Sequence, residues 1–350
     1  MMNLVVNEIR KLVFRRSFIV YLVMLFALVG LVGVLMKYSY NFNSDEYYVE
    51  ENGVSVQKFV EKGTPIFGFR DDNTPITSLE ERTTISRDNY LAVQANRDES
   101  YPNELISAKK ELDYYEVYLR QGIVPITTNN GGESAGAFFA GMGGMLSVVN
   151  MVVVIVASMI VASEFNGGTI KLLLIRPYKR SQILFSKLIV CLLFAAFVTV
   201  FTMISAAIIG MLLFPIQSFM LPASISTGGT SALKAGFILG LTNYLLLIVY
   251  TSIALMISAV FRSQALAVGI GMLVVFSSSL INVFLSMLIP KLEPLKWLIF
   301  NLLNVNDLGK GFAIPGELSL LQTSIGLLVY SGLFYLIADY IFKKRDVALS

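Results

Sequence analysis

The chain has 350 residues, 55% of them hydrophobic and only 15% charged, and its mean hydropathy is +0.68. Soluble domains carry about 25% charged residues, so this composition excludes an ordinary soluble protein, and it is far too apolar for disorder. Histidine is absent and Cys191 is the single cysteine, which excludes His-based triads, His metal sites, disulfide frameworks and Cys-based metal clusters; a net charge of +3 is too small to indicate nucleic-acid binding.

The expected fold class is an all-α polytopic membrane protein with six transmembrane helices. A span requires about 20 predominantly apolar residues. In chain order, residues 1–16 read as an amphipathic helix at the membrane interface, with Val5, Ile9, Leu12, Val13 and Arg16 at helical spacing and Asn3, Asn7, Glu8, Arg10, Lys11 and Arg15 mostly elsewhere on the wheel. The alternative is a plain basic flank of the first span. Span 1 follows at 17–36, too long and without the cleavage pattern of a signal peptide. A polar segment, 37–137, carries the breakers Gly53, Gly63, Pro65, Gly68 and Pro75. Its best helix is Asn103 to Gln121, with a stripe of Leu105, Ala108, Leu112, Tyr115 and Leu119, and Val54 to Val60 is a candidate short strand. Span 2 is expected at 138–162, a connecting loop at 163–182, and spans 3, 4 and 5 at 183–214, 235–261 and 263–289. Residues 290–317 are apolar but Pro-interrupted, at Pro290, Pro294 and Pro315; span 6 is expected at 318–342 and a short tail at 343–350.

Lysine and arginine distribution sets the expected orientation. With the N-terminus cytoplasmic, the inner segments hold 13 basic residues and three acids, whereas 37–137 holds 10 basic and 17 acidic residues, a net of −7. Both termini are then cytoplasmic and 37–137 is an extracytoplasmic domain. The chain contains no Gly-x-x-x-x-Gly-Lys-Ser/Thr motif and so has no P-loop to cradle nucleotide phosphates.

The loop after span 2 holds Glu164, two glycines (Gly167 and Gly168), Thr169 as a helix N-cap, a short apolar helix over 170–175, and then Pro177. An ordinary basic cytoplasmic loop is the competing reading. The pattern Glu164-x-x-x-Gly168-Thr169-x-Lys171-x-Leu173-Leu174-x-x-Pro177-x-x-Arg180, set between a second and a third span, resembles the signature of type-2 ATP-binding-cassette (ABC) exporter permeases. The likeness extends to the basic N-terminal helix, the six spans, the large insert after span 1 and the closing Phe342-Lys-Lys-Arg-Asp346.

That resemblance implies a permease subunit of an ATP-driven exporter in the bacterial cytoplasmic membrane, moving a peptide, lipid-linked compound or drug. It implies a separate cytoplasmic ATPase in two copies, carrying ATP and Mg, and a second permease, identical or homologous; this chain would bind no cofactor itself and would be no enzyme. Gly167, Gly168, Thr169, Lys171, Leu173, Leu174, Pro177 and Arg180 would shape the ATPase-docking coupling helix, while Glu164 would fix the turn through a salt bridge to Arg176 or Arg180. The resemblance further implies short re-entrant helices within 290–317.

Polar residues inside spans mark a substrate path or simple interhelical hydrogen bonds. Asn150, Thr199, Thr202, Asn243, Ser278 and Asn282 are the candidates for the path. The small-residue sets Gly236-x-x-x-Gly240 and Gly136, Ala140, Gly141, Gly143 and Gly144 predict close helix packing. The rival function is a membrane sensor or scaffold using 37–137 as receptor, and the short cytoplasmic segments count against it.

Overall fold

Each long apolar run closes its backbone hydrogen bonds internally as a helix, the only open-chain solution where water is absent. The computed structural model describes residues 2–41, 46–51, 54–61, 63–95, 101–127, 130, 132–166, 178–261 and 263–344. Among the described residues, five helical segments are long and apolar enough to cross a membrane, and a sixth results if a pair bent by 41° counts as one span. The protein is therefore a predominantly helical, multi-pass membrane protein.

The helices are α1 (Met2–Val13), α2 (Arg16–Asn41), α3 (Leu79–Ala95), α4 (Tyr101–Gln121), α5 (Ala135–Ala140), α6 (Gly143–Asn166), α7 (Arg180–Leu213), α8 (Ala232–Val260), α9 (Gln264–Leu288), α10 (Ile299–Leu302), α11 (Val305–Gly309) and α12 (Leu320–Lys344). The bend lies within α9, between Gln264–Ser278 and Leu280–Leu288. One antiparallel hairpin, β1 (Glu46–Glu51) and β2 (Val54–Phe59), pairs Glu46 with Phe59 and Glu51 with Val54.

The chain divides into two compact units. The first comprises Met1–Phe26, Gly143–Thr202 and Leu239–Ser350. Its larger core gathers Ala157 from α6, Val249 and Ala254 from α8, Ala267 from α9, Leu302 from α10 and Leu327 from α12. A neighbouring cluster packs Leu25 of α2 against Val149 and Val153 of α6, Ala195 and Val198 of α7, and Leu247 of α8. Hydroxyls join the helices where side chains are small. Ser258 Oγ donates to the Ser158 carbonyl at 2.7 Å and accepts from the Ala162 amide at 2.9 Å, and Ser252 meets Ser331 at 2.7 Å. Such bonds replace water that the bilayer does not supply.

The second unit comprises Ala27–Met142 and Met203–Ile238. Phe67, Ile76, Tyr114, Tyr115, Tyr118 and Leu221 form its aromatic core. The α4 helix follows the expected Asn103–Gln121 span with two more residues at its start, and Gly122 ends it in the left-handed region at φ +64°, where glycine is at ease. Its buried stripe is broader than the expected one, because Tyr114 and Tyr118 turn inward beside Ala108, Leu112 and Tyr115. The Tyr118 hydroxyl donates to the Pro222 carbonyl at 2.8 Å, which accounts for a buried polar tip. Helix α3 was not expected from the sequence; it is polar, and it is held to α4 by Arg82–Glu111 and Arg87–Glu116 ion pairs. Strand β1 was likewise missed, while β2 matches the expected strand over Val54–Phe59.

Candidate functional site

Helices α1, α6 and α7 meet in a cluster of four charges, of which Glu8, Glu164 and Lys187 are buried and Lys11 is exposed. Along α1, Leu4, Val5 and Glu8 are buried and fall one turn apart, so a carboxylate sits on the covered face. This corrects the expected wheel, which set Glu8 on the polar side and Val13 on the apolar stripe; Val13 is 42% exposed, and Arg16 belongs to the first turn of α2. Glu164 stands in the last turns of α6 and Lys187 in the second turn of α7. Lys187 is 0% exposed and Glu8 5%.

Lys187 Nζ forms an ion pair with Glu164 Oε2 at 2.8 Å and donates hydrogen bonds to Glu8 Oε2 at 3.1 Å and to the Ile160 carbonyl at 3.3 Å. Lys11 Nζ closes the ring from outside, 2.7 Å from Glu8 Oε1 and 3.3 Å from Glu164 Oε1. Two cations and two anions alternate, and the cluster is neutral. Burial pushes the Glu8 carboxyl up, but the charge of Lys187 and the hydrogen bond and charge of Lys11 outweigh it and hold it below the ordinary value of 4.5. Desolvation makes such a network a poor source of net stability and an expensive one to break. Its effect is to fix one arrangement of α1 against the facing ends of α6 and α7.

The proposed ATPase-docking residues Gly167, Gly168, Thr169, Lys171, Leu173, Leu174, Arg176 and Pro177, with the expected helix over 170–175, lie outside the described residues. Glu164 is not in a loop: α6 continues through Asn166, beyond the expected end of span 2 at 162. It meets Lys187 at 2.8 Å and Lys11 at 3.3 Å, while Arg176, one of the two arginines expected to pair with it, lies outside the described residues. Arg180 opens α7 and donates to the Lys343 carbonyl of α12 at 3.0 Å.

Among the six path candidates, no hydrogen bond joins any two. Thr199 and Thr202 donate to the Ala195 and Val198 carbonyls one turn back on α7. Ser278 donates to Val275 and approaches the Tyr250 hydroxyl at 3.4 Å. Asn243 accepts from Asn306 at 3.0 Å, and Asn306 in turn accepts from Thr242 at 3.1 Å. Asn150 Oδ1 and Asn282 Oδ1 are buried without a hydrogen-bond partner. These placements read as interhelical and intrahelical satisfaction of polar groups for Thr199, Thr202 and Ser278; Asn243 is bonded through its Oδ1 while its Nδ2, like the Asn150 and Asn282 oxygens, is buried without a hydrogen-bond partner.

Glu8, Lys11 and Lys187 were missed as site residues. The available signal was positional. Lys187 falls on the same helical face as Leu184, Cys191 and Ala195, all buried, so a cation there demands a buried carboxylate. Glu8 lies four residues from Leu4 and from Leu12 on α1, among the residues that face inward.

The sequence of this chain is similar to two Bacillus subtilis (strain 168) proteins. One, described as "Uncharacterized protein YhcI", is 31% identical over 212 residues, which are 56% of this chain and 63% of that protein. The chain thus spans less than two thirds of that relative's length. The other, "Uncharacterized membrane protein YdbK", is 29% identical over 200 residues, 55% of this chain and 76% of that protein. Residues 105–348 match the family described as "Protein of unknown function (DUF2705)", and this match runs from within α4 through α12 and takes in both facing helices of the charge cluster. Since the match covers well over half of the chain, this multi-pass membrane protein belongs to the DUF2705 family.

Proposed function

We propose that the chain is the permease subunit of an ATP-driven ABC exporter, with both termini in the cytoplasm and with ATP hydrolysed by two copies of a separate ATPase. The observation that carries this reading is the Glu8–Lys11–Glu164–Lys187 cluster, which binds α1 to both helices flanking the segment that resembles a coupling loop. An ATPase pushing on that segment would move α6, α7 and α1 together, because separating them would strand buried charges. Transport would then follow from two nearly isoenergetic arrangements of the helices, biased by nucleotide on the partner. The exported molecule would be amphipathic, a peptide, lipid-linked compound or drug, and a second permease would complete the path.

The test is affinity capture from membranes in mild detergent, comparing the native chain with a Gly168→Pro, Leu173→Asp double variant. Capture of an ABC ATPase by the native chain and its loss in a variant of unchanged unfolding temperature is the expected outcome. Absence of any ATPase on the native chain, or full retention by the variant, would reject the reading.

A further inference from the structure

Beside the charge cluster, α1, α2, α6 and α7 enclose an open pocket whose rim carries Lys11 and Arg15 and whose walls are Phe18, Val156, Met159 and Phe194. We infer that this pocket binds one anionic phospholipid of the leaflet in which α1 lies. The inference stands apart from the ATP-driven reading and needs only that the helices cross a bilayer.

Charge identifies the headgroup. Lys11 and Lys187 are matched by Glu8 and Glu164, so the cluster leaves no charge over. Arg15, at the corner between α1 and α2, has no side-chain hydrogen bond or ion pair among the described residues, and it is the uncompensated cation on the rim. A phosphodiester carries one negative charge and accepts hydrogen bonds from a guanidinium in a matching plane.

Depth and wall chemistry identify the rest of the molecule. Ser163 and Val156 both line the pocket, and seven residues of helix span about 10 Å, the distance from a headgroup to the first methylenes of its chains. The wall at that depth is apolar, with Val156 and Phe194 already packed in the core and Phe18 stacked on Phe197 at 5.8 Å. Phe14, next to Arg15, is 84% exposed, an apolar side chain at the same corner that acyl chains would cover. A soluble anion satisfies Arg15 and leaves these walls bare. A zwitterionic lipid covers the walls but brings a cation to the rim that already has one.

The experiment uses the purified full chain in detergent, equilibrated with equimolar phosphatidylglycerol and phosphatidylcholine and read by native mass spectrometry. One favourable surface cation corresponds to about a fivefold preference for the anionic lipid. Wild type should retain phosphatidylglycerol over phosphatidylcholine by about that factor, Arg15→Gln should abolish the preference, and Arg10→Gln, exposed and outside the pocket, should keep it. A phosphatidylglycerol bearing a diazirine in its acyl chain should mark Phe18, Met159 or neighbouring residues. Equal retention of the two lipids, an unchanged preference in Arg15→Gln, an equal loss in Arg10→Gln, or displacement of the lipid by millimolar inorganic phosphate would each overturn the inference. Unfolding temperatures of both variants equal to wild type exclude misfolding as the cause.

Discussion

Lys187 Nζ and Glu164 Oε2 stand 2.8 Å apart across the facing ends of α7 and α6, with Lys187 wholly shielded from solvent. The two residues are 23 positions apart in the chain, and most of the residues between them form the segment that resembles a coupling loop. The ion pair joins α6 to α7, and Glu8 on the same ammonium adds α1 to them. The relationship has measurable consequences.

Lys187→Met removes the only fully buried cation among the described residues and leaves Glu8 and Glu164 facing each other with Lys11 between them. The expected cost is about 3–5 kcal/mol, the usual penalty for breaking a buried pair from one side. Adding Glu8→Leu to Lys187→Met should cost less than the sum of the two single changes, since the second substitution removes a stranded carboxylate. Thermal unfolding of the four proteins in one detergent measures the cycle. Additive effects would show that the residues act independently.

The pH dependence follows from Glu8. Its carboxyl is held below 4.5 when folded, so the unfolded chain binds its proton first as the pH falls. The stabilisation is therefore complete above that unfolded value and drains away as acid carries the pH below it, through the folded value. Protonation weakens the hold of Lys187 and Lys11 on α1. Limited proteolysis between α1 and α2 should accelerate on acidification from about pH 5 downward in wild type. Glu8→Gln should be cleaved faster at neutral pH and show a flatter profile over that window.

Gly236 of α8 predicts a steric effect inside the second unit. A Cβ there would overlap Cε1 of Phe139, with two further ring atoms at 2.8 Å. Helix propensity by itself favours alanine by about 1 kcal/mol. Overpacking of this severity opposes it with about 1–3 kcal/mol, so Gly236→Ala should lower the unfolding temperature despite its better intrinsic propensity. Combining it with Phe139→Leu, which withdraws the ring, should restore most of the loss. Gly269, with open space where its Cβ would sit, is the control position for alanine and should show no such clash.

The amino-acid sequence determined the membrane class and its long apolar runs, because a span is a local property: enough consecutive apolar residues to cross hydrocarbon, bounded by charges. It also marked Asn103–Gln121 as a helix and Gly236 as a point of close approach, both from short-range spacing. Polar helix α3 escaped because it shows no apolar stripe and its ion pairs to α4 are made across 29 positions of sequence. The charge cluster escaped for the same reason on a larger scale. Glu8 and Lys187 are 179 residues apart, and nothing local separates a carboxylate that will be buried from one that will be solvated. Only the packing of α1 against α6 and α7 decides it, since there the ammonium and both carboxylates leave water together and must satisfy one another.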